Sequence, residues 1–268
     1  MIIFIVIIII IIIFFLLLHR LSTFTNVIDN NNKYKYTAVI VEPREHKALK
    51  YVLNNFLENL NNDWCILIMH GNLNEEYVNN IINNDLSIYK SRIFTHNLKI
   101  NNLTIDEYNK LLKSIKFYEL ILTEMFLVFQ TDTIICSKFK DNINKFLEFD
   151  YVGAPWSGGV LNEKIGNGGL SLRRKSKMVE IINKCPNIMY PDAIDQSLNN
   201  EDVFFSFGCD KVSVYKPTYE EAKCFSIEQV YSNKSFGIHK AYVYLNKDNF
   251  NELKSYCPEI IQLVELNK

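Results

Sequence analysis

The first half of the chain alternates short apolar runs with stretches whose apolar residues recur every three or four positions. The apolar runs are Thr37 to Val41, Trp64 to Met69 and Met125 to Phe129, and the segment from Glu45 to Leu60 has helical spacing. Apolar runs without polar alternation are typical of strands buried on both faces. The succession of strands and helices therefore predicts an α/β domain, with a Rossmann-type, mostly parallel sheet flanked by helices.

Four further segments complete the predicted elements of the fold. Asn74 to Ile82 has the pattern of a short helix, and Leu86 to Phe94 is expected to be extended but is weakly patterned. Thr104-Ile105-Asp106-Glu107 has the form of a capping box, which predicts a helix that runs to about Glu119. A further helix is expected over about Ser176 to Cys185.

Glycine is concentrated in one part of the second half of the chain. Five of the nine glycines lie between positions 158 and 169, in Ser157-Gly158-Gly159 and Gly166-Asn167-Gly168-Gly169. Glycine permits tight turns and close approach of backbone to a ligand. We therefore predict a glycine-rich loop beside a binding site, following the apolar segment Tyr151 to Trp156.

The N-terminus is apolar from Ile2 to Leu18, close to the ~17–25 residues that cross a bilayer as a helix. No small-residue cleavage site follows, so residues 1–20 are predicted to be an uncleaved transmembrane segment of a single-pass membrane protein, with a cleaved signal peptide as the alternative. The polar residues 21–36 are interpreted as a stalk. Basic residues after the span favour a cytosolic domain, whereas sequons at Asn102 and Asn233 allow a lumenal one.

Composition is that of a globular protein, with 48% hydrophobic and 22% charged residues and a net charge of −1. A partner held through nucleic-acid phosphates is therefore not expected. The six cysteines form no C-x-x-C pair, which argues against structural zinc. Disulfides are possible without an indicated pairing, and Cys65 and Cys136 have the surroundings of buried apolar residues.

Two acidic segments are candidates for chemistry. Asp132, within Gln130-Thr131-Asp132-Thr133, follows an apolar strand, and the carboxyl ends of parallel strands line the ligand crevice of open α/β sheets. A carboxylate there suits Mg²⁺ or Mn²⁺ together with phosphate oxygens, although an ordinary turn aspartate is the alternative. Asp202 is a candidate general base with Glu201 orienting the acceptor hydroxyl, the alternative being acids in the first turn of a helix.

Two basic candidates are weaker when taken alone. Arg44, in Glu42-Pro43-Arg44 after the first strand, could contact a phosphate or a nucleobase, or form a surface salt bridge. His239 could be a metal ligand if the fold brings a carboxylate close to it, whereas a structural histidine is the alternative.

Six segments in this order resemble a poorly characterised glycosyltransferase-like family found in giant DNA viruses, bacteria and fungi, over about residues 37 to 245. They are Val41-Glu42-Pro43-Arg44, Phe129-Gln130-Thr131-Asp132-Thr133, Asp150-Tyr151-Val152-Gly153-Ala154-Pro155-Trp156, Asn167-Gly168-Gly169-Leu170-Ser171-Leu172-Arg173, Glu201-Asp202-Val203-Phe204-Phe205 and Phe236-Gly237-Ile238-His239.

The resemblance implies a catalytic domain of the GT-A type over residues 37–268, with a nucleotide-binding half at 37–150 and an acceptor half at 151–245. In such folds an Asp-x-Asp element holds a divalent metal and the donor diphosphate. Here Gln130 stands at the first acidic position, so only Asp132 carries over, and His239 would complete the metal site. The Glu-Asp pair maps to Glu201 and Asp202, which would supply the base.

The remaining residues of the expected donor site are those of the nucleotide half and of the glycine segment: Glu42, Arg44, Gln130, Thr131, Asn167, Gly168 and Gly169. The expected function is a glycosyltransferase, of hexosyltransferase type, that uses Mn²⁺ or Mg²⁺ and a nucleotide sugar, with a UDP-sugar favoured. The acceptor would be a glycan, protein or lipid. The alternatives are an inactive nucleotide- or sugar-binding member, a membrane-anchored interaction protein and, less favoured, a phosphatase or nuclease.

Overall fold

The structure is a computed structural model that describes residues 33–162, 164–185 and 199–268. Its strands are β1 (Tyr36–Val41), β2 (Trp64–His70), β3 (Ile93–Asn97), β4 (Met125–Phe129), β5 (Thr133–Ile135), β6 (Tyr151–Pro155), β7 (Ile165–Arg174), β8 (Ser226–Ile227) and β9 (Gly237–His239). Its α-helices are α1 (Leu49–Asn59), α2 (Glu75–Asn80), α3 (Ile105–Leu112), α4 (Ile115–Leu120), α5 (Lys175–Lys184), α6 (Glu201–Phe207), α7 (Tyr219–Ala222), α8 (Ala241–Tyr244), α9 (Lys247–Tyr256) and α10 (Glu259–Leu266).

The larger sheet has six strands in the order β3-β2-β1-β4-β7-β6. The first four are parallel to one another, whereas β7 is antiparallel to both β4 and β6. Apolar residues alternate between two cores, with Ile40 and Phe129 on one face and Val39 and Val128 on the other. The predicted α/β fold with a mostly parallel sheet covered on both faces is therefore confirmed.

Registers in this sheet bring several segments to one edge. Because β1 and β4 are parallel, Glu42 and Gln130 both leave the sheet at its carboxyl edge. Strand β7 is antiparallel to β4 with Val128 opposite Ser171, so the residues before Ser171 run past the end of β4 at that same edge. The segment Gly166-Asn167-Gly168-Gly169 thus belongs to a strand, and the prediction that it is a loop was wrong.

Two predicted elements have different boundaries in the structure. The capping box of α3 is present, since the Thr104 side chain accepts a hydrogen bond from the Glu107 amide and the Glu107 carboxylate accepts one from the Thr104 amide. The helix ends at Leu112, and a second one begins after Ser114, whose hydroxyl accepts from the Phe117 amide. The expected extended segment before β3 is instead a 3₁₀ turn, Ser87–Arg92.

Two disulfides connect parts of the chain that are distant in sequence. Cys136–Cys257 fixes the end of β5 to the C-terminal helices across a separation of 121 residues, and Cys185–Cys209 joins the end of α5 to the segment after α6. Cys65 is a buried free thiol, as expected, whereas Cys136 is disulfide-bonded rather than a simple apolar residue.

The prediction of a single-pass membrane protein is contradicted. Within residues 33–162, 164–185 and 199–268, no helix is both long enough and apolar enough to cross a bilayer. The predicted transmembrane segment 1–20 and most of the predicted stalk lie outside the described residues.

Candidate functional site

A small second sheet brings together three side chains that are distant in sequence. Its order is β5-β9-β8, with β5 antiparallel and β8 parallel to β9. Asp132 immediately precedes β5, Glu228 immediately follows β8, and His239 ends β9. Because Thr133 is opposite His239 and Ile227 is opposite Ile238, the topology places all three residues at one end of this sheet.

The three side chains are in contact around the His239 ring. Nε2 of His239 lies 3.4 Å from Oδ1 of Asp132, and Nδ1 lies 3.2 Å from Oε1 of Glu228. Nδ1 also lies 2.9 Å from Oδ1 of Asn167 on β7. Two oxygens of this group, Oδ1 of Asp132 and Oε2 of Glu228, are buried without a hydrogen-bond partner. A buried carboxylate oxygen left unsatisfied is costly, so this group suits a ligand that is a cation or a hydrogen-bond donor.

The charges of the group are set by its own members. Burial lowers the pKa of His239, but the hydrogen-bonding and charge interactions with Asp132 and Glu228 outweigh it and raise the pKa to about 10. Burial opposes ionisation of Asp132, yet His239 and Lys240 hold its pKa below the usual value. The imidazolium therefore supplies the positive charge between two carboxylates at neutral pH, and a divalent cation bound through Nε2 would require that proton to leave.

The group around His239 offers few ligands for a metal ion. Across the described part of the chain, no cluster of three or more histidine, cysteine, aspartate or glutamate side chains is arranged to bind a metal ion. Asp132 and His239 are therefore at most two protein ligands. Hard cations such as Mg²⁺ commonly have one or two carboxylate ligands, with substrate phosphates and water completing the coordination.

Strand β7 connects this group to Asp202. The Gly168 amide donates to Oδ2 of Asp202 at 2.9 Å, and the Gly169 amide donates to the Asn167 oxygen that contacts His239. The Asp202 carboxylate also accepts from the Val203 amide at 2.8 Å through its other oxygen. Consecutive residues of one strand thus hold Asp202 on one side and His239 on the other.

Burial raises the pKa of Asp202 to about 7, with a further contribution from the negative charge of Glu201, and the backbone hydrogen bonds from Gly168 and Val203 act in the opposite direction. A carboxylate with a pKa close to neutrality can exchange a proton with a hydroxyl more readily than an ordinary aspartate. Asp202 therefore has the protonation behaviour expected of a general base.

Glu201 is placed differently from Asp202. Its carboxylate forms a buried two-pronged ion pair with Arg173, with Nη1–Oε2 and Nη2–Oε1 distances of 2.6 and 3.0 Å. Arg173 also donates to the Ser171 hydroxyl, which in turn donates to the Gly168 carbonyl. Glu201 is therefore engaged in anchoring α6 to β7.

A first cavity of about 290 Å³ lies at the carboxyl edge of β1 and β4. Glu42, Arg44, Gln130, Thr131 and Asp132 all line it, together with Tyr108 and the segment before α3. Glu42 is buried and its carboxylate pairs with the Arg44 guanidinium at 2.8 Å through both oxygens, while Arg44 remains 58% exposed. The donor residues that were expected after β1 and β4 thus lie in one pocket.

A second cavity of about 480 Å³ is lined by Asn167, Asp202 and Glu228, with Trp156, Gln229 and Tyr244 among the other lining residues. His239 contacts Asp132 of the first cavity and both Asn167 and Glu228 of the second. Lining residues of the two cavities are thus connected through the His239 side chain.

Sequence reasoning missed two residues of this region. Glu228 follows a strand of only two residues, too short to produce a readable pattern. The buried Asn74 donates to the carbonyls of Glu42 and Arg44 and accepts from the Gly71 amide, so it holds the loop after β1 in place. The available sequence signal for Asn74 was an asparagine at the start of a predicted helix.

Gly169 contacts the His239 ring so closely that a side chain there would displace it. A Cβ at position 169 would lie 2.2 Å from two ring atoms of His239, and this glycine has an ordinary backbone conformation. We expect Gly169→Ala to move the ring and to lower the melting temperature by about 2–12 °C, because overpacking commonly costs about 1–3 kcal/mol. Thermal unfolding of the variant and of the wild type measures this. A melting temperature of Gly169→Ala equal to that of the wild type would contradict the expectation.

Comparison with solved structures identifies the type of fold. The apo form of the glycosyltransferase GlyE from Streptococcus pneumoniae TIGR4 is 8% identical, with a TM-score of 0.51 over 87% of this chain and 63% of that chain. A second GlyE structure is 11% identical, with a TM-score of 0.50 over 87% and 64%. S. aureus TarS 1-349 in complex with UDP-GlcNAc is 13% identical, with a TM-score of 0.45 over 85% and 66%.

The chain thus spans just under two thirds of the length of GlyE, and at such identities the likeness concerns the fold alone: a mixed α/β fold like that of glycosyltransferases. No curated protein matches the sequence. The expected occurrence in giant viruses, bacteria and fungi stays a prediction. A family model matches residues 89–239, which is more than half of the 268 residues, so the chain belongs to the family described as protein of unknown function DUF5672.

Proposed function

We propose that this chain is a glycosyltransferase that moves a sugar from a nucleotide-sugar donor to a hydroxyl acceptor. The observation that carries the proposal is that Asp132 lines one cavity and Asp202 lines another, while His239 contacts lining residues of both, within a glycosyltransferase-like fold. The two reactants of a transfer must meet at one reacting centre, and a polar group shared by two pockets provides such a place.

The donor nucleotide occupies the first cavity in this proposal. Arg44 contacts its phosphates or base, since the guanidinium is exposed while its position is fixed by the buried Glu42 carboxylate. Gln130 and Thr131 lie beside Asp132 in the same cavity and contact the nucleotide as well. Gly168 and Gly169 allow the backbone of β7 to approach Asp202 and His239 closely, and so to hold these two side chains beside the donor sugar.

Asp132 and His239 hold Mn²⁺ or Mg²⁺ in this proposal. Oδ1 of Asp132 has no hydrogen-bond partner and lies 3.4 Å from Nε2 of His239, so a hard cation that replaces the imidazolium proton fits between them, and the site has too few protein ligands to bind one tightly without the donor diphosphate. When bound, the cation supplies neutralising charge for a leaving diphosphate. The protein's own part is to orient these two ligands and to keep the surroundings of His239 dry, since its ring is 7% exposed.

Asp202 accepts the proton of the acceptor hydroxyl in the second cavity. The hydroxyl oxygen forms a bond to the anomeric carbon, the bond from that carbon to the diphosphate oxygen breaks, and the proton passes to the Asp202 carboxylate. The Gly168 and Val203 amides fix the direction of the carboxylate. Arg173 and Glu201 act as positioning residues, because their ion pair anchors the helix that carries Asp202.

A panel of nucleotide sugars with and without Mn²⁺ tests the proposal. We expect one nucleotide class, with UDP derivatives favoured, to raise the melting temperature in an Mn²⁺-dependent way, because a ligand that binds only the folded state stabilises it. Transfer or slow donor hydrolysis should accompany that binding. Binding without either reaction would indicate an inactive binding member, and no nucleotide binding under any condition would contradict the proposal.

Asp132→Asn should remove the metal dependence of binding while the fold is retained. Asparagine keeps the size of the side chain but not its charge, and we expect UDP affinity in Mn²⁺ to fall at least tenfold, toward the value measured with EDTA. Isothermal titration of UDP with Mn²⁺ and with EDTA measures this. The exposed Asp141, replaced by asparagine, is the matched control. Equal UDP affinity for wild type in Mn²⁺ and in EDTA would refute the metal role.

A further inference from the structure

The second cavity is lined by Glu228, whose carboxylate has one oxygen that the reaction described above does not use. Glu228 is only 3% exposed, and its Oε2 has no hydrogen-bond partner. The other oxygen, Oε1, lies 3.2 Å from Nδ1 of His239, which fixes the direction of the carboxylate. We infer that the second cavity binds a neutral sugar as the acceptor, and that Oε2 of Glu228 accepts a hydrogen bond from one of its hydroxyl groups. This inference rests on the proposed function.

The need for a donor at Oε2 follows from burial. A carboxylate oxygen withdrawn from water without a partner loses hydration and gains nothing in return. A ligand hydroxyl is a single, directional donor that removes this deficit while its own oxygen still accepts from another group. Since Glu228 lines the same cavity as Asp202, a sugar held at Oε2 is placed beside the proposed base.

The charge of the cavity favours a neutral ligand over an anionic one. Among the described lining residues, Asp202 and Glu228 carry acidic side chains, and no lysine or arginine is present. The nearby His239 imidazolium is already shared between Asp132 and Glu228, so a phosphorylated or carboxylated acceptor would meet the acidic groups with no cation of its own to pair with.

The other lining groups favour a sugar over a cationic peptide. Tyr244 is 48% exposed on α8 and Trp156 forms part of the wall, and such rings provide apolar surfaces that match the C–H face of a pyranose. The Gln229 amide oxygen accepts from the Ser157 amide at 2.8 Å, which directs its NH₂ group toward other partners. Amides and carboxylates beside aromatic rings offer hydroxyls both donors and acceptors.

Saturation-transfer NMR with UDP and Mg²⁺ present tests the inference, since Mg²⁺ is diamagnetic and does not broaden the sugar signals. The probes are lactose, maltose, cellobiose and chitobiose, with 3′-sialyllactose as an anionic and trilysine as a cationic comparison. We expect at least one neutral disaccharide to bind, and the two charged probes to give no signal. Glu228→Gln should raise the Kd of that disaccharide about 10–100-fold, because a hydrogen bond to a charged group contributes about 1.5–3 kcal/mol.

Two further variants keep the test independent of folding. Tyr244→Ala changes an exposed ring and should weaken the same disaccharide, whereas Glu148→Gln, at an exposed glutamate outside the lining, should not. Mn²⁺-dependent UDP binding, measured on the same protein preparations, reports the proposed function separately.

Several outcomes would overturn the inference while leaving that function intact. They are UDP binding without any disaccharide signal, a disaccharide signal that Glu228→Gln does not change, and binding of trilysine that requires Glu228. If Glu228→Gln weakened the binding of UDP-glucose but not that of UDP or of the disaccharides, Glu228 would be assigned to the donor sugar. That result would also overturn the inference.

Discussion

Replacing Asp202 by asparagine is expected to lower kcat for sugar transfer by about 10²–10⁴-fold, the usual loss when a general base is removed. Asparagine has nearly the same shape, and its oxygen can still accept from the Gly168 or Val203 amide, which hold the carboxylate at 2.9 and 2.8 Å. It cannot take the acceptor proton. Nucleotide binding should therefore stay within about twofold of wild type, because Asp202 does not line the first cavity.

The pH dependence of the reaction provides an independent check of this role. Because burial and Glu201 raise the pKa of Asp202 to about 7, the carboxylate is mostly protonated at pH 6 and mostly ionised at pH 8. A base acts in its ionised form, so kcat should rise about tenfold per pH unit below this pKa and level off above it.

The exposed Asp210, replaced by asparagine, is a matched control for the loss of one aspartate carboxylate. Its kcat and pH profile should equal those of wild type. The role assigned to Asp202 fails if Asp202→Asn turns over at the wild-type rate, or if the wild-type kcat is flat from pH 5 to pH 8.

The largest expected effect on stability comes from breaking the buried pair of Arg173 and Glu201. Arg173 is fully buried and Glu201 is 4% exposed, and Arg173→Met leaves the glutamate carboxylate without its partner. Removing one member of a buried ion pair commonly costs about 3–5 kcal/mol. For a domain of this size we expect the melting temperature to fall by about 6–20 °C.

The double variant Arg173→Met with Glu201→Gln distinguishes an uncompensated charge from lost packing. It removes the unpaired carboxylate, so part of the stability should return, and a double-mutant cycle gives the coupling between the two residues. Glu180→Gln breaks half-exposed surface pairs with Lys184 and Lys177 and should lower the melting temperature by no more than about 4 °C. A melting temperature of Arg173→Met equal to that of wild type would contradict the anchoring role.

Much of the large sheet could be predicted because the information is local. β1, β2 and β4 are continuous apolar runs, which indicates strands buried on both faces. The apolar residues of α1 recur at helical spacing, which indicates a helix buried on one face. The position of Asp132 after such a strand, and the cap formed by Thr104 and Glu107, also follow from near neighbours in sequence.

Other features depend on contacts that no local pattern encodes. Glycines 168 and 169 look like turn residues, yet they lie within β7, which pairs with β6, and the His239 ring fills the space beside Gly169. The sequence around Glu201 predicts a residue that orients the acceptor hydroxyl, but in the folded protein its carboxylate is paired with the buried Arg173 guanidinium. The pairings of the four bonded cysteines likewise depend on which helices meet.

By itself, therefore, the sequence determined that this is an α/β protein with a mostly parallel sheet and with Asp132 at the end of a central strand. Only the tertiary structure decided which side chains lie beside Asp132. The short strands β5, β8 and β9 are stable as partners of one another and not alone, since so few residues cannot hold a strand by local preference. Their pairing is what sets Asp132, Glu228 and His239 side by side between the two cavities.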